Sequence, residues 1–544
     1  MENTSVKKDR KNPRGGFEIP ARIAVNVFSF LTFFAFGFIA LFSLFQTSVI
    51  DPENYTAEHI LFEQKHILIT LPLTILFFVA MMAFGRKYDW FKHLNIRLLK
   101  ILLVVYVLVL GVIWVSRVQC IPGADSASVF YSASGAAQGD YTQFRSNDQM
   151  YFHTYYQDNA YYKFYPFQLG FVFLCEGIYR LFGAQTAMPL EYINVVCLAL
   201  SYLGIVQITG ELFKRRAMEF VSIILLALCV QPILFTPFPY GNIMGMCCAV
   251  WASYFLIRYL RGARWLVLIP SGVLLVIGIL AKYNNMIYLV AFGVILVLHA
   301  IKEKKWQGIA FLLVLCICAV GSSKLIILSY ENRAGEKYGP GVSQTQYLDI
   351  GLQDGGMAPG WYTSIGMRTF MESGFDPAVA NERSREDISQ RLEKMTSNPD
   401  YAIEFFSKKI LSQWNEPTFE SIWVSKVKGH YNGDPTGFVN DIYNGGAGKF
   451  VESYTSIYMS ALYLLFAGGV LALMMKKRAS LETVLLPLVL LGAFGYHLLF
   501  EAKSQYILTY IILLIPIASY AAVSLMESKW NLFTFLENKK ATKR

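Results

Sequence analysis

The sequence predicts an all-α polytopic membrane protein of about 12–13 transmembrane helices, each needing roughly 20 apolar residues, with a small extracytoplasmic domain, α-rich or mixed, inserted between core helices. Three observations predict it. First, 55% of the 544 residues are hydrophobic and only 16% charged, whereas soluble proteins carry roughly 25% charged residues. Second, long apolar runs recur from Ala24 to Ala522, and the mean hydropathy is +0.40. Third, Lys and Arg gather in short clusters between those runs, which is the pattern of orientation signals. The net charge of +10 therefore points to membrane topology and not to nucleic acid.

Residues 1–22 form a basic tail (Lys7, Lys8, Arg10, Lys11, Arg14, Arg22). It lacks a cleavable-signal pattern, because the apolar run after it is long enough to remain as an anchor. Apolar segments follow near 23–46, 65–85, 100–117, 166–184, 191–213, 219–237, 242–260, 265–281, 286–301, 308–327, 453–474, 481–499 and 506–525. Basic clusters at 86–100, Lys214-Arg215-Arg216, Arg258/Arg261/Arg264, Lys302/Lys304/Lys305, Lys476-Lys477-Arg478 and in the tail 527–544 are assigned to the cytoplasm. Alternation then places 47–64, 118–165, 238–241, 282–285, 328–452 and 500–505 outside.

Segment 166–184 breaks the alternation, since an odd number of crossings is required between loop 118–165 and the basic triplet at 214. It is the weaker of the two segments there. Glu176 and Arg180 share one helix face at i,i+4 spacing, and charge at mid-membrane is costly. A bent or partly external segment restores the count at 12 crossings with both termini cytoplasmic. The alternative lets both segments span and puts Lys214-Arg215-Arg216 outside.

The resulting organisation is two N-terminal helices in 23–99, a membrane core in 100–327, an extracytoplasmic domain in 328–451 and C-terminal helices in 452–526. Within the domain, Ser384–Thr396 has helical composition, Asn398-Pro399 ends it, and Tyr401–Trp414 reads as an amphipathic helix. Seven of the eight cysteines lie inside apolar segments and Cys120 alone is near a surface, so neither a disulfide framework nor a metal site is readable. Asn54-Tyr55-Thr56 matches a glycosylation acceptor, a triplet that is frequent by chance.

Chemistry-bearing residues concentrate on the outer side. In loop 118–165, Pro122-Gly-Ala-Asp125 precedes a small-residue helical run, and the loop closes with Lys163-Phe-Tyr165-Pro166. A carboxylate at the membrane surface suits a general base; local sequence favours Asp125 as the cap of the helix that starts there, and the two roles are compatible. The last outer turn crowds polar groups into Tyr496-His497-Leu-Leu-Phe-Glu501-Ala-Lys503-Ser-Gln505-Tyr506. It reads either as a solvated Glu501/Lys503 pair or as a site for a lipid-linked phosphate. Lys282 in Lys282-Tyr-Asn-Asn285 is disfavoured outside, so it is either a snorkelling anchor or a phosphate ligand. Tyr240, in Pro237-Phe-Pro239-Tyr240-Gly241, offers an aromatic surface to a sugar ring.

These parts together resemble the GT-C type of membrane glycosyltransferase, nearest to the family-39, protein-mannosyltransferase and aminoarabinose-transferase group of bacteria. The resemblance rests on Gly123-Ala-Asp125, on Tyr165-Pro166, on Lys282-Tyr-Asn-Asn285 and most specifically on Phe500-Glu501-Ala-Lys503-Ser-Gln-Tyr506. It implies a GT-C-like fold and inverting, metal-independent transfer of a sugar from a polyprenyl-phosphate donor to a glycan, lipid or protein acceptor of the cell envelope, with no cofactor. It also implies Asp125 as base, and Lys282 and Lys503 at the lipid phosphate, with Glu501, Lys163, Tyr165, His497 and Tyr240 as further binding residues. The chain departs from the pattern in segments 23–46 and 65–85, which precede the core, in Tyr240-Gly241 where many members place a second acidic residue, and in the position of insert 328–451. A transporter or flippase is the rival reading, although two similar halves are not evident; a membrane scaffold is another.

Overall fold

The computed structural model describes residues 15–53, 58–65, 67–86, 94–146, 160–429 and 435–527. The triplet Asn54-Tyr55-Thr56, residues 147–159 of the first outer loop, Lys87, Lys92 and most of both basic tails lie outside the described residues.

Helix α1 (Gly15–Ser43) leads into a hairpin of β1 (Gln46–Ile50) and β2 (Ile60–Gln64), followed by α2 (Ile67–Arg86). The strands pair antiparallel with Ile50 opposite Ile60. Helix α3 (Ile96–Val118) starts at Asn95, whose side chain accepts the Leu98 N–H at 3.2 Å. It stops where Gln119 turns left-handed at φ 48°, a conformation that ends helices. The first outer loop supplies α4 (Asp125–Ala137) and α5 (Tyr161–Phe164).

The core continues with α6 (Leu169–Phe182), α7 (Met188–Phe213), α8 (Arg216–Leu228), α9 (Gln231–Leu234), α10 (Asn242–Leu260), α11 (Leu268–Ala281), α12 (Met286–Glu303) and α13 (Gln307–Ala334). Residues 219–237, read as one apolar segment, are broken at Cys229, because Pro232 has no N–H for the Leu228 carbonyl and its ring would clash with it in a continuous helix. Between the apolar helices lie α14 (Gln344–Leu352), α15 (Ile365–Glu372), α16 (Pro377–Ser397), α17 (Pro399–Trp414) and α18 (Gly437–Asn444). Asn398 separates α16 from α17 and caps the latter through the Tyr401 N–H at 3.2 Å. The chain returns through α19 (Gly446–Met475), α20 (Leu481–Leu499), α21 (Ser504–Ile507) and α22 (Ile515–Met526).

Among the described residues, eight helices are long and apolar enough to cross a membrane, and 71–83, 265–281 and 511–526 are shorter apolar helices. The chain is thus an all-α, multi-pass membrane protein. Helix α6 has 14 residues, a rise of roughly 21 Å, which falls short of a hydrocarbon core of about 30 Å. Its Glu176 is buried and pairs with Arg180 at 2.6 Å, as the spacing suggests, but also with Arg333 at 3.0 Å and the Tyr330 hydroxyl. Three partners explain how a carboxylate persists there.

The segment 23–46 precedes the pattern in sequence but not in space. Helix α1 packs against α19 and α20, and its Phe36 ring meets Trp414 at 5.2 Å and Phe466 at 5.0 Å. Helix α10 packs between α7 and α11, and α3 lies on α7. The external helices are stitched to one end of this bundle. The Ser48 N–H donates to the Asn415 carbonyl at 3.1 Å, the Ile60 N–H to Met357 at 3.0 Å and the Ala502 N–H to Gly360 at 2.9 Å. The buried Lys409 ammonium donates to the carbonyls of Gly351 and Phe500, thereby capping the end of α20. Hairpin, external helices and the turn 500–506 are therefore one interlocked layer.

Candidate functional site

Asp125 opens α4, but it does not cap it. Ala124, at φ 50°, holds the cap position, and no side chain there accepts a helix N–H. The Ser126 hydroxyl turns back to the Gly123 carbonyl at 2.7 Å. The Asp125 carboxylate is left exposed at the first turn, where the helix dipole favours a negative charge. Among the described residues it makes no hydrogen bond or ion pair. Local sequence favours capping; the left-handed Ala124 shifts the register by one residue and releases the carboxylate.

The charge of Asp125 acts on Tyr161, Tyr165, Tyr240, Lys282, Tyr347, Glu501 and Tyr506. Residues from the first loop, the turn before α10, the turn between α11 and α12, helix α14 and the turn after α20 thus converge at one end of the bundle. The close approach depends on Gly241, where a Cβ would overlap the Ala281 carbonyl oxygen. That contact sets Tyr240 beside Lys282.

Lys282 is half-buried, with its ammonium 4.3 Å from the Tyr240 ring centroid and 5.3 Å from that of Tyr506. Burial pushes its pKa down to about 8, against the pull of Asp125 and Glu501. Neither a hydrogen bond nor a salt bridge engages it among the described residues. Tyr240 is held by Gln168, which donates to its hydroxyl. Glu501 is buried and accepts the Tyr506 hydroxyl at 2.6 Å. Burial raises its pKa, with Lys503 and Tyr506 opposing the rise. His497 is buried in the last turn of α20, with Nδ1 3.0 Å from the Glu501 carbonyl oxygen and Nε2 without a partner. Tyr165 reaches the Met367 sulfur at 3.3 Å.

Lys503 and Lys163 are placed differently. Lys503 is buried against Glu58, which also binds Lys428. Lys428 in turn lies 3.7 Å from Glu420, whose carboxylate accepts the Ser504 hydroxyl at 3.0 Å and the Gln505 N–H at 3.1 Å. Burial opposes ionisation of Glu58, yet Lys428 and Lys503 together hold its pKa at about 2. Lys163 is engaged by Glu336 at 2.9 Å and by Ser146.

Glu58, Glu420, Lys428 and Tyr347 escaped the sequence reading. Lys428 carried the signal that singled out Lys282, a positive charge in a segment assigned outside. Glu58 carried none, since it lies in a hairpin read as a connector. Among the described residues, no group of three or more His, Cys, Asp or Glu is gathered as metal ligands would be.

Residues 168–325, under a third of the chain, match the model of the dolichyl-phosphate-mannose-protein mannosyltransferase family. The match contains Gln168, Tyr240 and Lys282 but neither Asp125 nor the turn 500–506. It supports a glycosyltransferase of the GT-C type. No curated protein matches the chain. Among solved structures, the chain is similar to the oligosaccharyltransferase AglB from Archaeoglobus fulgidus in complex with an inhibitory peptide and a dolichol-phosphate, at 14% identity and TM-score 0.40, covering 80% of this chain and 52% of that one. The oligosaccharyltransferase of the same organism in complex with Zn and sulfate gives 13% identity and TM-score 0.41, over 80% and 51%. The chain spans about half the length of these structures.

Proposed function

We propose that the chain transfers a sugar from a polyprenyl-phosphate-linked donor to an acceptor hydroxyl at the outer face of the cell membrane, with both termini cytoplasmic. The observation that carries this reading is the Asp125 carboxylate, without hydrogen bond or ion pair among the described residues, set in the field of a Lys282 ammonium flanked by the Tyr240 and Tyr506 rings. The acceptor oxygen attacks the anomeric carbon while Asp125 takes its proton. The bond from that carbon to the carrier phosphate oxygen breaks, and its electron pair leaves with the phosphate. Lys282 offsets the charge that grows there. Placing base and cation before reaction avoids reorganisation in the transition state. Tyr240 and Tyr506 flank the ammonium with faces suited to a sugar ring. Glu501, held by Tyr506, is placed to orient a sugar hydroxyl, and Lys503 contributes through Glu58 and the turn it fixes.

The test compares Asp125→Asn with the unmutated protein in vesicles holding a polyprenyl-phosphate sugar. The variant should express and fold normally and lose transfer by about 10²–10⁴-fold, the range for a positioned general base. Undiminished transfer by Asp125→Asn overturns the assignment. Movement of the intact donor across the bilayer without glycosidic cleavage would favour a flippase.

A further inference from the structure

The bundle end opposite Asp125 carries a second constellation. Helix α10 begins beside Tyr240 and ends just before Arg261; α12 begins beyond Lys282 and carries His299 and Glu303 near its end; α20 carries Glu482 in its first turn and His497 in its last. The same three helices thus hold the candidate site at one end and a different set of charges at the other. The 19 residues of α10 separate the ends by roughly 28 Å, about the thickness of the hydrocarbon.

Here Arg261, Gly262, His299, Glu303, Lys305 and Glu482 line a cleft of about 430 Å³, within the ~300–1,000 Å³ typical of ligand sites. Its charges balance, with two bases and two acids around a histidine. His299 is buried, its Nε2 has no hydrogen-bond partner among the described residues, and its ring meets Tyr259 edge to face at 5.3 Å. Arg261 is tied to the Leu212 carbonyl at 2.9 Å and to Glu211 at 3.4 Å, and Glu303 to Lys302 at 3.2 Å. Lys305 and Glu482 have no hydrogen bond or salt bridge among the described residues, although both lie within the field of His299. An uncommitted cation and an uncommitted anion therefore share one cleft.

We infer that this cleft binds the zwitterionic headgroup of a membrane phospholipid carrying a phosphate and a primary amine. The phosphate meets Arg261 and Lys305, and the ammonium meets Glu482 and Glu303. Charge balance argues against a purely anionic ligand, which would answer Arg261 and Lys305 but bring no positive group to Glu303 and Glu482. The surroundings argue for a lipid rather than a soluble phosphoamine. Trp265 and Leu266 are about half exposed on one flank and Trp306 is 67% exposed on the other, and exposed tryptophan marks the membrane interface. The inference is independent of sugar transfer.

The full chain is reconstituted in nanodiscs of equal parts phosphatidylethanolamine, phosphatidylcholine and phosphatidylglycerol, and the lipid retained on release into detergent is measured by native mass spectrometry. Phosphatidylethanolamine should be enriched at least several-fold over both others. Glu482→Gln should bring that enrichment close to parity, because the contact to the ammonium is lost, and Lys305→Gln should lower the total retained lipid by about tenfold, as expected for loss of one charge-assisted contact, while unfolding in lipid-free detergent stays as in the parent protein. Equal retention of the three lipids, preference for phosphatidylglycerol, unchanged enrichment in Glu482→Gln, or unchanged total retention in Lys305→Gln overturns the site. Displacement of the bound lipid by millimolar free phosphoethanolamine overturns the lipid assignment, since the headgroup alone would then suffice.

Discussion

Glu58→Gln is the sharpest probe of how the external layer is held. The Glu58 side chain is buried between Lys428 and Lys503, and the substitution keeps its size while removing its charge. A half-buried Lys428 and a buried Lys503 then lose their shared carboxylate and are left with the more distant Glu420 and, for Lys503, the field of Glu501. Removing one member of a buried ion cluster costs about 3–5 kcal/mol. The depression of the Glu58 pKa from 4.5 to about 2 gives a similar figure, roughly 3 kcal/mol at 1.36 kcal/mol per unit. The sign follows from the depression. The stabilisation is fully present above pH 4.5 and fades as pH falls toward 2, because the unfolded carboxyl binds its proton first. Unfolding free energy in detergent should therefore drop by about 3 kcal/mol for the variant at pH 7, and the gap should narrow steadily below pH 4.5. Glu53→Gln, exposed on the same hairpin, is the control and should change stability by under about 0.5 kcal/mol. A Glu58→Gln loss below 1 kcal/mol, or a gap independent of pH, would refute the reasoning.

In its proposed role at the carrier phosphate, Lys282 should make donor use pH-dependent. With its pKa pushed down to about 8, the phosphate counter-charge is lost as pH rises through that value, so apparent donor affinity should fall there; Lys282→Arg, charged throughout, should flatten the profile. The same depression makes this group's contribution to stability rise between pH 8 and its ordinary value near 10.5, so weaker donor use above pH 8 with constant or rising stability is the expected signature, and parallel losses in both would reject it. Gly241→Ala places a methyl against the Ala281 carbonyl, a backbone atom that cannot swing aside. It should cost 1–3 kcal/mol or more by overpacking and abolish transfer by parting Tyr240 from Lys282; normal activity would show that this contact is not required. Lys163→Ala removes a partly exposed pair with Glu336, worth about 0–1 kcal/mol, and should leave the donor KM within twofold, so a several-fold rise would return Lys163 to the donor site.

The membrane fold was legible because hydrophobic runs of the required length leave few alternatives, and helix ends in the external region were legible because Asn398-Pro399 is local punctuation. What stayed hidden was decided by contacts distant in sequence. A one-residue displacement of the cap, from Asp125 to Ala124, separates a structural carboxylate from an unengaged one, and nothing in Gly-Ala-Asp-Ser announces which occurs. The partner of Lys503 is 445 positions away in a hairpin with no motif of its own.

That pairing changes how the motif Glu501-Ala-Lys503 is understood. Opposite charges two residues apart suggest one another as partners, since a straight extended backbone would put both on one face. Lys503 has φ −158° and ψ 151°, an extended conformation in which side chains at i and i+2 share a face only while the strand runs straight, and the helical turn beginning at Ser504 bends the chain immediately after. Glu501 is consequently drawn toward Tyr506 and the field of Asp125, whereas Lys503 is drawn toward Glu58 and Lys428. One short string thus serves two neighbourhoods, the candidate site on one side and the lock that fixes the hairpin on the other. A substitution at Lys503 should then act on stability at least as strongly as on donor use, and the two effects separate by comparison with Glu58→Gln: if both variants lose stability alike but only the Lys503 change weakens donor binding, the ammonium reaches the phosphate as well as the carboxylate.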